Sequence, residues 1–268
     1  IARAQRERDG DARLVGPIFR RALRRAIGDE PVRFPVFDGG FAAVEAEFVF
    51  RLAGDAVPDK HRYDADEAAA LVASMHVGIE TAGSPLATIN ALGPTVVVAD
   101  FGNNAGLILG PAIASWRART PESLTCETFV AGASVGRGSA ASIENGPLAA
   151  LAFALGHLAA RGRPLKAGDC VTTGAVTGIH DIVAGQSAHV VFDGIATLVA
   201  QVATMAAGPV LTVGVGPSFA MRWLIPRLGE FTALYPDIRI SLIVTDEELD
   251  LSMREALNSA LDHALETD

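Results

Sequence analysis

The segment 44-VEAEFVFR-51 decides which fold we expect for this chain. Apolar residues take every second position in it, and successive side chains of a β-strand point to opposite faces. One face of the predicted strand would carry Val44, Ala46, Phe48 and Phe50, and the other Glu45, Glu47, Val49 and Arg51. The apolar face predicts packing against a core. On the other face, the Cα atoms of the two glutamates would lie about 7 Å apart.

Further strands are expected on the C-terminal side of this segment. Residues 75–81 show the same alternation, and residues 95–99 and 125–133 form short apolar runs that predict two more strands. One face of the strand at 75–81 would carry His76, Gly78 and Glu80. Short strands separated by glycine turns continue to residue 202.

Few helices are expected among these strands. Residues 18–27 have the pattern of a short basic amphipathic helix. Asp64, with Glu67 three residues later, forms the sequence pattern of a capping box. Residues 147–162 combine a proline in the first turn with leucines at helical spacing. Strands and turns with few helices predict a curled α+β domain and not a βαβ repeat.

The pattern changes near residue 208. Apolar strands at 210–215 and 238–244 flank a helix expected over 218–234, which makes one βαβ unit, and a last helix is expected over 252–265. We therefore expect three parts: a shortened N-terminal region of 1–40, a main domain of 41–207 and a C-terminal extension of 208–268.

Composition excludes several classes of protein. Half of the 268 residues are hydrophobic, which excludes a disordered chain. The net charge of -9 argues against a nucleic-acid-binding protein. Cys126 and Cys170 lie far apart, which excludes a disulfide framework and a cysteine zinc site and fits a reducing cytoplasm.

A long uncharged stretch raises the question of a membrane span. No charged residue occurs between Asp193 and Arg222, a length that could cross a bilayer. Gly208 and Pro209 interrupt it, and no aromatic or basic belt flanks its start. We therefore expect two buried strands around a turn, and no membrane partner.

The glutamates are the strongest candidates for chemistry. Two carboxylates on one strand face repel each other when buried, unless a cation or a proton intervenes. With Glu80 from a neighbouring strand, Glu45 and Glu47 would complete an oxygen ligand set for Mg²⁺ or Mn²⁺. The alternative is a solvent-facing strand at a sheet edge, and the spacing alone favours this alternative.

Other motifs are less specific. Residues 214–216 resemble part of a dinucleotide-binding loop but lack its third glycine. The segment 136-GRG-138 fits either an anion-binding turn or an ordinary one. His76 fits either a ligand or proton shuttle, or a hydrogen-bonded histidine of the core.

Several blocks, taken in order, are similar to one enzyme family. They are 45-EAE-47, 78-GIETAGS-84, 100-DFGNNAGLILG-110, the stretch at 147–173, and the pair Thr173-Gly174. Residues 41–202 resemble the family of 2-keto-4-pentenoate hydratase and 4-oxalocrotonate decarboxylase, within the fumarylacetoacetate hydrolase superfamily.

The resemblance implies a curled, mixed β-sheet with outer helices and a homo-oligomer. It implies that Glu45, Glu47 and Glu80 hold Mg²⁺ or Mn²⁺, and that Thr173, Gly174 and Asp100 lie beside the substrate. The substrate would be a short 2-oxo or 2-hydroxydienoate acid that chelates the metal. The metal would stabilise charge at the 2-oxygen while water adds or CO₂ leaves.

The chain departs from the family pattern at the residue that moves protons. The family has a catalytic lysine upstream of the E-x-E motif, whereas this sequence has lysine only at Lys60 and Lys166. Pro85 also stands where the family commonly has arginine. The resemblance thus implies a metal site whose catalytic residue is unassigned.

The C-terminal part resembles other families. Residues 208–251 are similar to the start of the effector-binding domain of LysR-type regulators, and residues 252–268 to the N-terminal helix of the pyruvate dehydrogenase β subunit. Three hypotheses follow: a metal-dependent lyase, a non-catalytic module that senses a small acid, and a composite sequence without one evolved activity.

Overall fold

The computed structural model describes residues 13–204 without a gap. Beyond them it describes residues 210–216, 220, 224, 225, 228, 231 and 238–244. The chain divides into two compact units, Ile1–Met205 and Ala206–Asp268.

The first unit contains most of the described elements. Its strands are β1 (Leu23–Arg25), β2 (Val32–Val36), β3 (Phe41–Leu52), β4 (Val72–Ser84), β5 (Asn104–Ala112), β6 (Thr125–Val130), β7 (Ala133–Ser139), β8 (Cys170–Thr172), β9 (Ile179–Asp181), β10 (Ser187–Phe192) and β11 (Ala196–Thr204). Its α-helices are α1 (Ala65–Ala70), α2 (Pro94–Ala99) and α3 (Pro147–Ala160). Short 3₁₀ helices cover Arg20–Ala22, Phe101–Asn103, Trp116–Ala118, Pro121–Ser123 and Ala140–Ser142.

Two open, mixed sheets organise this unit. The first has the order β1-β5-β4-β3-β8, with β9 also paired to β3, and the second has the order β2-β11-β10-β6-β7. In each sheet one pair is parallel, β1 with β5 and β2 with β11, and the other pairs are antiparallel. The predicted α+β class is therefore confirmed.

The main core lies between the two sheets. The inner face of β3 carries the residues predicted for it, Val44, Ala46, Phe48 and Phe50, and all four are buried in this core. Phe48 meets Phe192 of β10 edge to face, with ring centroids 5.7 Å apart. Helix α3 contributes Leu151 and Leu155, both fully buried. The alternation of apolar residues thus correctly predicted which face of β3 is buried in this core.

The outer face of the first sheet is also largely covered, which decides the environment of the glutamates. Toward the start of β3, one apolar cluster contains Phe41, Ala43, Ala82, Ile89 and Val97. Toward its end, a second cluster contains Val49, Leu107 and Leu109. The three glutamates lie on this face between the two clusters, because side chains two residues apart share a face.

Two predicted elements are wrong. The helix expected at 18–27 is a 3₁₀ turn followed by β1, because the backbone at 23–25 pairs with β5 instead of with itself. The strand expected at 95–99 is helix α2, whose first turn accommodates Pro94. In contrast, the capping box at α1 is confirmed, with Glu67 N donating to Asp64 Oδ1 at 2.8 Å and Asp64 N donating to Glu67 Oε2 at 3.1 Å.

The second unit contains a parallel pair, β12 (Val210–Val215) and β13 (Arg239–Val244). Parallel pairing is what the predicted βαβ unit requires. Within the helix expected over 218–234, the described residues are 220, 224, 225, 228 and 231, and all are helical. The turn at 208–209 and the helix expected over 252–265 lie outside the described residues. In the described part of the chain, no helix has the length and apolar character needed to cross a membrane.

Candidate metal centre

Strand pairing brings the three glutamates onto one face. Glu45 of β3 lies directly opposite Glu80 of β4, and Glu47 lies opposite Gly78. Residues directly opposite each other in an antiparallel pair have Cβ atoms about 4.5–5.5 Å apart. The interpretation of this strand as a solvent-facing edge is wrong, because β3 lies between β4 and β8 and Glu47 is only 1% exposed.

Backbone donors hold the most buried carboxylate. Glu47 Oε2 accepts hydrogen bonds from Thr173 N at 2.9 Å and from Gly174 N at 2.7 Å. Gly174 has a φ of 116°, a conformation that a residue with a side chain would adopt only under strain. A glycine at this turn therefore lets the chain present two consecutive N–H groups to one carboxylate oxygen.

Two side chains that the sequence had not singled out hold the third carboxylate. Thr172 Oγ1 donates to Glu80 Oε2 at 3.1 Å. The Asn104 side chain, at the start of β5, also hydrogen-bonds to Glu80. Both residues belong to blocks that carry the family resemblance, but only the register of the strands reveals that they meet Glu80.

Burial disfavours the ionised form of all three carboxyl groups. Desolvation, followed by the charge of Glu80, raises the pKa of Glu45 from 4.5 to about 8. Desolvation raises the pKa of Glu47 well above its usual range, with further contributions from the charges of Glu80 and Glu45 and opposition from the Gly174 and Thr173 amides. Desolvation also raises the pKa of Glu80 against the hydrogen bonds from Asn104 and Thr172. A divalent cation here would offset this accumulated negative charge.

The donor set fits a hard divalent cation in its chemistry. Carboxylate oxygens are the ligands that Mg²⁺ and Mn²⁺ prefer. Among the described residues, no group of three or more His, Cys, Asp or Glu side chains is already arranged around one point as metal ligands. Carboxylates repel one another when no cation or proton lies between them.

The three residues predicted to lie beside a substrate differ from one another in their contacts and exposure. The Thr173 hydroxyl donates to the Phe48 carbonyl at 2.9 Å, so this side chain is bound to the backbone of β3. The Gly174 backbone is exposed beside Glu47. Asp100 is hydrogen-bonded to Ser84, four residues beyond Glu80 on β4, and burial raises the pKa of Asp100 against this bond. The proposed contact of Thr173, Gly174 and Asp100 with substrate stays a prediction.

His76 and Arg137 have partners that account for them structurally. The two ring nitrogens of His76 hydrogen-bond with Ser74 Oγ at 2.8 Å and with the Gly110 carbonyl at 3.0 Å. Arg137 forms ion pairs with Glu127 at 3.6 Å and Asp193 at 3.5 Å. The contacts of His76 favour the hydrogen-bonded histidine over the ligand or proton shuttle. The turn predicted at 136–138 is wrong in both of its alternatives, because these residues lie within strand β7 and pair with β6.

Both lysines form ion pairs at the surface. Lys60 pairs with Glu67, and Lys166 pairs with Asp55 at 3.1 Å. These contacts tie Lys60 to helix α1 and Lys166 to the loop that follows β3, so neither supplies the lysine of the family pattern. A cavity of about 480 Å³ lies at the other end of β4 and is lined by His76, but its lining does not include the three glutamates.

No protein-family model matches the chain, and no curated protein sequence matches it. Solved structures do match. 4-Oxalocrotonate decarboxylase from Pseudomonas putida G7, complexed with magnesium and adipate, is 20% identical with a TM-score of 0.60, covering 74% of this chain and 73% of that chain. The same enzyme complexed with calcium and acetate is 20% identical with a TM-score of 0.56, and the match covers 68% of this chain and 66% of the enzyme. Fumarylpyruvate hydrolase from Pseudomonas aeruginosa, in complex with Mn²⁺ and pyruvate, is 17% identical with a TM-score of 0.48. This match covers 68% of this chain and 74% of the hydrolase.

These matches concern the fold. The decarboxylase structures bear out the expectation that residues 41–202 fold like that family. The chain spans about two thirds to three quarters of the decarboxylase length. The resemblances of residues 208–251 and 252–268 to other families stay predictions.

Proposed function

We propose that this protein is a metal-dependent lyase that acts on short 2-oxo or 2-hydroxydienoate acids, by hydration or decarboxylation. The observation that carries the proposal is the group of three carboxylates on the outer face of β3 and β4, all with raised pKa values. Such a group costs free energy unless a cation or protons neutralise it. A group of buried carboxylates with strongly shifted pKa values is therefore a candidate functional site.

The ligands of the decarboxylase structures support this proposal. One structure contains magnesium and adipate, and the other contains calcium and acetate. In each case a divalent cation accompanies a small carboxylic acid. By analogy, we expect a small acid to be the partner of this chain at its proposed centre.

Each part of the proposed centre has a role that follows from its contacts. Glu45, Glu47 and Glu80 would hold Mg²⁺ or Mn²⁺ through carboxylate oxygens. When bound, the metal would supply a Lewis acid for the 2-oxygen of the acid. The Thr173 and Gly174 amides keep Glu47 oriented, and the flanking apolar clusters limit the access of water to the carboxylates.

A non-catalytic module that binds small acids is the second candidate function. The observation that favours it is the position of the lysines, because both are bound in surface ion pairs. Without a proton-transfer residue, metal and acid could bind while turnover stays low. A composite origin of the chain is a separate hypothesis, which intact mass and peptide mapping across residues 200–251 would test.

Calorimetry and a kinetic assay on the full chain separate these functions. We expect Mn²⁺ to bind in titration calorimetry, and a 2-hydroxydienoate or 4-oxalocrotonate to disappear, by ultraviolet absorbance, only when Mn²⁺ or Mg²⁺ is present. Binding of metal and acid without turnover would support the sensing module. Absence of divalent-ion binding would reject the metal centre.

Light scattering would test the predicted homo-oligomer, and fractionation of the source cells would test the predicted cytoplasmic location.

A further inference from the structure

Three consecutive residues contact carboxylates on two different strands. Thr172 donates through its hydroxyl to Glu80 of β4, and Thr173 and Gly174 donate through their amides to Glu47 of β3. The distances are 3.1, 2.9 and 2.7 Å. The segment 172–174 therefore links the two strands at the position of the proposed metal centre.

The same segment is anchored to β3 through its backbone. Thr173 N also donates to the Phe48 carbonyl at 3.1 Å, and Val176 N donates to the Ala46 carbonyl at 2.9 Å. These bonds set the register of residues 172–176 against β3. The backbone that carries Thr172 is therefore fixed against β3 where its hydroxyl contacts Glu80.

Strand β7 supports the segment from the second sheet. A Cβ atom added at Gly138 would lie 2.4 Å from the Val176 carbonyl oxygen, and one added at Gly136 would lie 2.5 Å from the Thr177 carbonyl oxygen. Real Cβ atoms essentially never come within 3.0 Å of another heavy atom, so any larger residue must displace this backbone. The glycines of the 136-GRG-138 motif thus allow the close approach of residues 176–177.

Strand β6 adds a side-chain contact to this support. The Thr128 and Thr177 hydroxyls hydrogen-bond at 2.8 Å, and Thr128 is fully buried. Residues 172–177 are therefore held on both sides, by β3 of the first sheet and by β6 and β7 of the second.

We infer that residues 172–177 form a positioning segment that sets the orientation of Glu47 and Glu80, with Thr172 as a positioning residue and Gly136 and Gly138 as its support. This inference rests on the proposed metal centre. Groups that hydrogen-bond to metal-ligating carboxylates orient them, and removal of such a group typically weakens metal binding about 10- to 100-fold.

Substitutions at Thr172 test the inference directly. We expect Thr172→Val, which removes the hydroxyl and keeps the shape, to weaken Mn²⁺ binding about 10- to 100-fold in titration calorimetry. Thr172→Ser, which keeps the hydroxyl, should restore most of the affinity. The thermal midpoint of each metal-free variant should stay close to that of the wild type, which separates positioning from a loss of folding.

Thr81→Val is the matched control. Thr81 is 1% exposed, next to Glu80 in the chain, and its hydroxyl has no hydrogen-bond partner among the described residues. Removal of this hydroxyl should leave the Mn²⁺ affinity unchanged. An equal loss of affinity in Thr81→Val and Thr172→Val would overturn the positioning role.

Gly138→Ala tests the support from β7 without reference to metal. We expect faster hydrogen exchange of the Gly174 amide in the metal-free variant, because displacement of Val176 loosens the bond to Glu47. Gly54→Ala is the control, since its added Cβ would meet only Leu71 Cδ2, at 3.6 Å. An unchanged hydrogen-exchange rate of the Gly174 amide would contradict the claim that β7 holds residues 172–177 in place.

The outcomes distinguish this inference from the proposed function. If the wild type binds no divalent ion, the proposed metal centre is wrong and the inference falls with it. If the wild type binds Mn²⁺ and Thr172→Val binds it equally well, only the positioning segment is wrong.

Discussion

Glu45 and Glu80 lie directly opposite each other on the antiparallel strands β3 and β4. Both side chains are partly withdrawn from water, and Glu47 next to them is buried. Like charges this close cannot all be ionised without a cost in free energy. The pairing therefore links the protonation of the site to the stability of the fold and, in our proposal, to the binding of a cation.

Stability of the metal-free protein should decrease as the pH rises. The pKa of Glu45 is raised from 4.5 to about 8, so the folded state binds this proton more tightly than the unfolded state does. The contribution to stability is complete below about pH 4.5 and is lost as the pH rises through about 8. Thermal midpoints measured with a chelator at pH 5, 7 and 9 would check the slope.

Glu45→Gln is the control for this pH dependence. The chain carries a net charge of -9, so general repulsion also lowers stability at high pH. We expect the variant to show a shallower decrease than the wild type, because its amide cannot ionise. Identical slopes for the two proteins would contradict the raised pKa of Glu45.

Glu47→Gln should abolish measurable divalent-ion binding while the protein stays folded. The amide oxygen of glutamine can still accept the Thr173 and Gly174 bonds, but it supplies no negative charge to a cation. Titration calorimetry with Mn²⁺ and circular dichroism would measure the two properties. Glu122→Gln, at an exposed carboxylate, is the matched control and should bind as the wild type does. Unaltered affinity in Glu47→Gln would exclude this residue as a ligand.

Phe48→Ala should destabilise the first unit by about 3–5 kcal/mol. Phe48 is fully buried between the sheets and contacts the ring of Phe192, so truncation leaves a cavity and removes an aromatic pair. Urea denaturation would measure the loss. Ile27→Ala, at a side chain 76% exposed, should change the free energy of unfolding little. A small effect at Phe48 would mean that the sheets do not pack as described.

Gly156→Ala should destabilise the protein, although alanine normally favours a helix over glycine. Gly156 lies inside helix α3, and an added Cβ would lie 2.3 Å from the His61 carbonyl oxygen. We expect overpacking against this backbone to cost about 1–3 kcal/mol, which exceeds the gain in helix propensity. An increase in the unfolding midpoint would show that α3 does not approach residue 61 so closely.

Local sequence determined the elements whose stabilising contacts are local or periodic. The alternation at 44–51 predicted β3 and both of its faces, because side-chain direction in a strand has a period of two. The capping box of Asp64 and Glu67 was predictable because its partners are three residues apart. The helix predicted at 18–27 and the strand predicted at 95–99 were wrong, because a short apolar or amphipathic run fits either a helix or a strand until its tertiary neighbours are known.

The sequence by itself placed Glu45 and Glu47 on one strand face, but only the tertiary structure decided that Glu47 is buried. Its partners, Thr173 and Gly174, lie 126 and 127 residues farther along the chain. No local pattern encodes such a contact. Desolvation and charge repulsion depend on what the fold packs around a group, and so the raised pKa values and the support from β7 belong to the folded structure alone.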